Sequence, residues 1–347
     1  MKIKFLKVSV SLLLCISIVF ALASCKSAKQ YSETYYDYFD TFTYVTVSTS
    51  SKSEADRFFS IFEDEVHKYH RLLNIYEEYD GITNLKSIND NAGIAPVSVI
   101  FELIEIIEFS KNIHTQTSGY LNIAMGSILE IWHEHRSSAL LSPDTASLPD
   151  ISALNDKAGH TDINDIIIDK ENSTVFLKDP DMSIDVGGVG KGYAAEKISK
   201  TLKNNGFENF VINIGGNVLA CGTKAENTFW RVAIEDPTEN TDSLFTLDIQ
   251  DMSVVTSGSY QRYFTVDGVR YHHIIDPYSL MPKNDYLSVT VIHRDSAVAD
   301  AMSTAIFNMP YELGCKTVSE YEGLEAVWVF ADGSIEYSEN FNKYIAR

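Results

Sequence analysis

Basic residues are scarce in this chain: 28 lysines and arginines stand against 48 aspartates and glutamates, a formal charge of -20 over 347 residues. That balance excludes a nucleic-acid partner and argues against adhesion to anionic lipid through surface charge, since both need clustered cations. Cysteine is also scarce, at four. Two fall in the first 25 residues, and the remaining pair, Cys221 and Cys315, carries no metal or CxxC redox spacing. An exported chain would permit a disulfide between them, but two separate buried thiols are the expected arrangement. No internal repeat and no low-complexity linker is present, which argues against two similar lobes joined by a hinge. An apolar fraction of 45% over about 320 mature residues is enough for one large domain or two intimate ones.

What is present begins with a leader. In MKIKFLKVSVSLLLCISIVFALASC, Lys2, Lys4 and Lys7 form a charged start, and an apolar run from Val8 to Leu22 follows. The run is too short for a spanning helix and reads as an export signal. Leu22-Ala23-Ser24-Cys25 is similar to the lipobox of bacterial lipoproteins, where cleavage precedes a cysteine that is then acylated. The expectation is a signal peptide over 1–24, a lipidated Cys25 with a polar spacer to residue 36, and a folded domain over 37–347. Two or more acyl chains would hold the protein stably on the outer face of the cell membrane.

Along the rest of the chain, TFTYVTVS (41–48) alternates and is β-branched, predicting a strand. Phe58, Phe59, Phe62, Val66 and Tyr69 recur at helical spacing, predicting a helix over 53–73 that starts near Ser53 and Asp56. A second helix is predicted over 98–117. Residues 137–150 read as a loop with a short helix starting near Asp144. Strands are then expected at 166–169, 174–177, 183–186, 210–214, 218–221, 230–235, 244–249 and 253–257, interrupted by helices over 190–204 and 297–308. Short turns such as Gly215-Gly216-Asn217 favour antiparallel hairpins over a doubly wound parallel sheet, so the fold class is α+β.

Three stretches carry candidate chemistry. In IDVGGVGKGYAAEK (184–197), a Gly-rich turn leads from a β-branched run into an Ala-rich helix. Backbone amides at a helix start, with Lys191 beside them, suit a phosphate. Neither common nucleotide fingerprint is met: Gly192 follows Lys191 where Ser or Thr is required, and Asp185 replaces the first glycine. A tight turn packing a helix on a sheet is the simpler alternative. In YHHIIDPYSLMP (271–282), a strand is expected to end at Asp276-Pro277, and alternation turns one of His272 and His273 inward. In VADAMSTAIF (298–307), Asp300 and Thr304 are four apart on one helix face and offer oxygens to a hard cation such as Mg²⁺. Aspartate near a helix start is also favoured by the dipole alone.

Taken together with YFDTFTYVTV, LLNIYEEYDGITNLKSIND, TSGYLNIAMGSILEIW, NFVINIGGNVLACG and VVTSGSYQRYF, these blocks resemble the ApbE family of FAD:protein FMN transferases, from about Asp37 to Asp332. The resemblance implies an ApbE-like, T-fold-like architecture of largely antiparallel sheets flanked by helices. It implies an enzyme that uses FAD and Mg²⁺ to place FMN on a threonine hydroxyl of an extracytoplasmic protein, through a phosphoester bond, releasing AMP. The acceptor would carry an Asp-Gly/Ala-x-Ser/Thr-Thr type sequence, as in subunits of flavin-bearing redox pumps.

Residue by residue, the resemblance implies that Asp185, Lys191 and His273 contact FAD, with His273 also in proton transfer. It implies that Asp300, Thr304 and the Gly188 carbonyl hold the metal, Ser303 being their neighbour, and that Asp300 is catalytically essential. Phe39 stands where many members have methionine, leaving an apolar wall. Tyr76 matches an aromatic flavin position, with Tyr79 three residues on. Tyr120, Leu121 and Asn122 would line the flavin site, Asn122 replacing the aspartate of many members. Two alternatives stay open: an FAD pyrophosphatase, with water in place of the threonine, and a non-catalytic flavin- or solute-binding lipoprotein.

Overall fold

The computed structural model describes residues 28–224 and 228–347, so Cys25 and the leader lie outside the described residues. The elements run β1 (Lys29–Tyr38), β2 (Thr41–Thr49), α1 (Lys52–Leu72), α2 (Leu85–Asn89), β3 (Val97–Ser98), α3 (Phe101–Gln116), α4 (Gly126–Leu141) and α5 (Ile151–Ala158). There follow β4 (Ile166–Asp169), β5 (Thr174–Leu177), α6 (Gly190–Asn204), β6 (Phe210–Ile214), β7 (Asn217–Cys221), β8 (Trp230–Glu235) and β9 (Ser243–Ile249). The chain ends with β10 (Met252–Gly258), β11 (Tyr263–Val266), β12 (Val269–His272), β13 (Tyr286–His293), α7 (Ser296–Asn308), α8 (Tyr311–Glu320), β14 (Glu325–Phe330) and β15 (Ile335–Tyr337).

The main sheet has the order β1-β2-β6-β7-β10-β13-β14-β15 and every neighbouring pair in it is antiparallel. The fold is α+β, as the short turns predict. The Ile214–Asn217 hairpin shows why: Gly215 and Gly216 have φ of +56° and +88°, the left-handed pair that a two-residue turn between twisted strands requires. Phe39 and Asp40 do the same between β1 and β2 at φ +54° and +51°, a conformation that is strained for residues carrying a Cβ.

Successive residues of the central strands serve two cores. Val255, Val289, Val291 and Trp328 belong to the larger one, under α1, α6 and α7. Val254, Ile292 and Val327 belong to a second, which Trp230 and Leu247 of the β8–β9 hairpin close from the opposite face. Period-2 alternation with both faces covered gives near-continuous apolar strands. Helix α7 is buried along almost its whole length, so its polar groups, Asp300, Ser303 and Asn308 among them, must find partners inside the protein.

Several expectations are corrected. Residues 29–36 are not spacer: Lys29–Tyr38 pairs with β2 from Lys29↔Thr49 onward, and a strand exposed on one side leaves little apolar pattern to read. The first helix is capped by Ser51, whose side chain accepts from the Glu54 amide, so it begins at Lys52. No strand forms at 183–186, where only an isolated bridge joins Ser183 to Met125. The turn at Pro143–Thr145 is a single 3-10 turn, and the helix that follows waits for its cap at Asp150. The 271–282 strand stops at His272, four residues short of Asp276. Cys221 and Cys315 are free thiols, and burial pushes the Cys221 thiol up to about 12. No described helix is long and apolar enough to cross a membrane.

Glycine at 192 is a packing requirement between α6 and α7. A methyl carbon there would lie 2.2 Å from the Ser296 carbonyl oxygen and 2.5 Å from Asp300 Cβ, and backbone cannot yield cheaply. Gly192→Ala is expected to lower unfolding stability by about 3 kcal/mol, read from the denaturant midpoint. An unchanged midpoint would refute this account of the helix pair.

Candidate active site

A cavity of about 660 Å³ opens among the start of α6, the Phe39–Asp40 turn, helix α4, the 258–264 and 272–277 segments and α7. That is within the range of sites for small molecules and cofactors. It gathers Phe39, Tyr76, Tyr120, Leu121, Asn122, Asp185, Gly188, Lys191, His273, Asp300 and Thr304, the residues expected for flavin and metal.

The start of α6 forms its floor. Val189 caps this helix with no side-chain hydrogen bond. The Gly190 amide donates to the Val186 carbonyl at 2.7 Å and the Gly192 amide to Asp300 Oδ2 at 2.7 Å. The Lys191 amide has no acceptor among the described residues, so a helix N-terminal donor faces the cavity beside the Lys191 ammonium. That ammonium reaches the Gly187 carbonyl at 3.4 Å. The turn before it is set by Asp185, whose Oδ1 accepts from the Gly187 amide at 2.7 Å. Burial raises the Asp185 pKa, offset by that hydrogen bond and by His133 and Lys191.

Asp300 is 3% exposed and has no ion-pair partner among the described residues. A buried carboxylate in that state calls for a cation. Thr304, one turn on, brings Oγ1 to 3.4 Å from the Gly188 carbonyl oxygen. Carboxylate, hydroxyl and carbonyl are an all-oxygen set, which fits a hard divalent cation such as Mg²⁺. Ser303 is turned away, bonded to Ser257 Oγ and the Asp300 carbonyl at 2.9 Å each. The described residues' one cluster of three His/Asp/Glu ligands, His160, Asp179 and Asp181, is not part of the cavity lining and is tied up by internal ion pairs, including one with Lys157.

The two histidines divide as alternation predicts. His272 is buried, its Nε2 bonded to the Lys283 carbonyl at 2.6 Å and its Nδ1 accepting from the Ile274 amide at 3.2 Å. It is a neutral structural group. His273 faces the cavity, held by its amide to the Arg262 carbonyl at 3.0 Å. The His273 ring is open to the cavity, and the surrounding cavity walls, then the charges of Arg262, Lys191 and Arg136, lower its pKa to about 3, which favours the uncharged, proton-accepting imidazole at neutral pH.

Tyr76 lines the cavity and packs in a tilted arrangement against His133 at 5.5 Å, whereas Tyr79 is not part of the lining and instead bonds Asn74 and Glu77. Tyr120 packs edge-on against Tyr278 at 4.9 Å, and Phe39 against His70 at 5.7 Å. Asn122 lines the cavity, but its amide is engaged, donating to the Thr161 carbonyl and accepting from Ala124, each at 2.9 Å. Its role there is to hold the loop. Sequence reasoning did not single out His133, Arg136, Asn217 and Arg262, which also line the cavity. Asn217 Nδ2 is a buried donor without a partner, and a carbon added at Gly192 would lie 2.9 Å from it and 2.5 Å from Asp300 Cβ. Asn217 and Arg262 sit inside the NIGGN and SYQRYF blocks, so closer attention to polar residues there would have found them.

Residues 39–328 match the sequence model of the ApbE family. A FAD:protein FMN transferase of Klebsiella pneumoniae is 32% identical over 269 residues, 75% of this chain and 80% of that protein. One from Treponema pallidum is 33% identical over 270 residues, 73% and 72%. The crystal structure of an ApbE protein from Thermotoga maritima superposes with a TM-score of 0.79 at 27% identity, over 92% of this chain and 100% of that one. The flavin transferase ApbE from Vibrio cholerae superposes with a TM-score of 0.78 at 22% identity, over 91% and 99%, a likeness of fold. With the match spanning nearly the whole described domain and the cavity gathering its motifs, this chain belongs to the ApbE family.

Proposed function

We propose that this protein transfers FMN from FAD to a threonine hydroxyl of an exported acceptor protein, with Mg²⁺, from a position anchored to the membrane through Cys25. The observation that carries the reading is the meeting, in one cavity, of a helix-start amide with Lys191, an unpaired buried carboxylate at Asp300, and a neutral imidazole at His273. The curated relatives named for this reaction support it.

On this reading the flavin lies against the wall formed by Tyr76, Tyr120, Leu121 and Phe39, and the pyrophosphate lies over the α6 start. Asp300, Thr304 and the Gly188 carbonyl would hold the cation, which supplies Lewis-acid charge at phosphate oxygens. His273 accepts the proton of the threonine hydroxyl as its oxygen bonds to the flavin-side phosphorus. The bond from that phosphorus to the bridging oxygen breaks, and the bridging oxygen leaves with AMP. Lys191 and its amide offset the charge that develops on the phosphate oxygens. Asp185 fixes the turn that aims these donors.

Incubation of the mature protein with FAD, Mg²⁺ and an acceptor bearing the Asp-Gly/Ala-x-Ser/Thr-Thr sequence is expected to add one FMN mass to the acceptor threonine and release one AMP. Free FMN and AMP without a labelled acceptor would replace the transferase with the pyrophosphatase, and binding without turnover would leave a flavin-binding protein. Asp300→Asn should lower kcat/KM for FAD at least a hundredfold, about 2.7 kcal/mol in the barrier, and abolish the response to added Mg²⁺. Full Mg²⁺-dependent activity in that variant would remove Asp300 from the site. Because the His273 pKa lies near 3 in the free enzyme, the proton-accepting form persists as pH falls through 6.5. The kcat/KM profile should therefore show no acid limb near pH 6.5; a limb there that disappears in His273→Gln would contradict the neutral-base assignment.

A further inference from the structure

Two arginines in the cavity wall have no part in the chemistry derived above. Arg136 lies in the last turns of α4 and Arg262 in the segment between β10 and β11, elements far apart in the chain that the fold brings to the same cavity. Each is held from behind. An Arg136 terminal nitrogen meets His133 Nδ1 at 3.1 Å, and an Arg262 terminal nitrogen donates to the Asp40 carbonyl at 2.8 Å. Neither is paired with a carboxylate, although Asp37, Asp40 and Glu77 also line the cavity. Among the described residues the one arginine in an ion pair is Arg231, with Asp248 at 3.0 Å. In a chain of charge -20, two guanidiniums that line one cavity without a carboxylate partner offer it a set of cationic N–H donors suited to an anion.

The surroundings narrow the choice of anion. Arg136 follows His133 by one turn, and His133 packs in a tilted arrangement against Tyr76, part of the proposed flavin wall. The Arg262 carbonyl holds the His273 amide. Trp132 fastens this part of α4 by donating to the Leu280 carbonyl at 3.0 Å. The cavity between the aromatic wall and the proton acceptor is thus lined by Arg136, linked to the wall through His133, and by Arg262, whose backbone holds that of His273. That is where the phosphate attached to the flavin side of the dinucleotide would pass. Resting on the flavin-transfer reading, we infer that Arg136 and Arg262 form a second anion subsite that grips the flavin-side phosphoryl group, the one retained on transfer, while Lys191 and the α6 start serve the rest of the pyrophosphate. Planar guanidiniums offer paired N–H donors to phosphate oxygens, a geometry that an ammonium cannot reproduce. The charge of Arg262 is felt at Arg136, whose pKa is lowered by burial and then by Arg262.

The test is equilibrium binding of FAD, FMN, riboflavin and AMP to the intact mature protein and to Arg136→Gln, Arg262→Gln and Arg262→Lys. Charge-assisted hydrogen bonds of this kind are worth about tenfold or more in affinity apiece. FAD and FMN affinity should fall by that factor in each Gln variant, with riboflavin and AMP changed less than twofold, and Arg262→Lys should recover part of the loss. Equal losses for riboflavin would make the arginines structural and overturn the proposal. So would losses on AMP in place of FMN, or unchanged FAD and FMN binding with slower transfer to the acceptor, which would assign the pair to an acidic group of the acceptor. Inorganic pyrophosphate separates the two readings. If the wild-type protein bound pyrophosphate through these arginines but bound no flavin, the flavin-transfer reading would fall and the flavin-side assignment with it, while an arginine anion subsite would stand.

Discussion

The hydrogen bond from the Gly192 amide to Asp300 Oδ2 is the contact on which the site depends. It joins the first turn of α6 to the first turns of α7 across 2.7 Å, and it forms because residue 192 has no side chain to keep the helices apart. One contact does three things. It satisfies a helix-start donor that α6 would otherwise leave open. It orients a buried carboxylate that has no cation of its own. It also fixes the distance between the phosphate-facing loop and the α7 face that carries Thr304. The sheet beneath, covered on both faces, supplies the rigidity, since α7 is packed in along almost its whole length.

Much of this was legible in the sequence, and the boundary of legibility is physical. Helix α6 begins at Gly190 and ends at Asn204 as expected, because its Ala-rich run and Gly-rich entry are local signals. The β6–β7 hairpin was legible in its two glycines. Strand β1 was not, since Lys29–Tyr38 is mostly exposed and its order comes from pairing with β2. Ser183–Val186 misled in the other direction: its apolar residues are buried by packing, and its polar backbone bonds go elsewhere, Ile184 to Asn89 and Asp185 to Ile123. In the site, most residues inside ordered motifs were found, Asn217 and Arg262 excepted, whereas Arg136 and His133 were missed because a single arginine on a helix reads as a solvated face until the fold turns it inward.

Asn122 and Ser303 show why motif position and chemical role separate. Both lie beside expected contact residues, and both have their polar atoms bonded within the protein. A side chain whose donors and acceptors are already engaged can shape a cavity but cannot recognise a ligand without giving up those bonds, and leaving a buried partner unsatisfied costs about 1–3 kcal/mol. Lys191, Arg262 and Asn217 are in the opposite condition. Lys191 and Arg262 line the cavity with no carboxylate to occupy them, and Asn217 Nδ2 is a buried donor without a partner, a difference invisible in the one-letter code.

The charge distribution closes the argument. A strongly acidic protein concentrates Lys191, Arg136 and Arg262 around one imidazole, and together with the desolvating cavity walls they lower the His273 pKa and favour its neutral form. Neutrality alone makes a weak base, because a pKa near 3 describes an imidazole with little affinity for a proton. An anionic pyrophosphate arriving among the same three cations would offset their charge, and the His273 pKa would then rise toward its ordinary value. The groups proposed to bind the phosphates would thus also set the basicity of the proposed proton acceptor. On this account the imidazole would gain basicity when phosphate enters the site, so that substrate binding and proton acceptance would be coupled through charge.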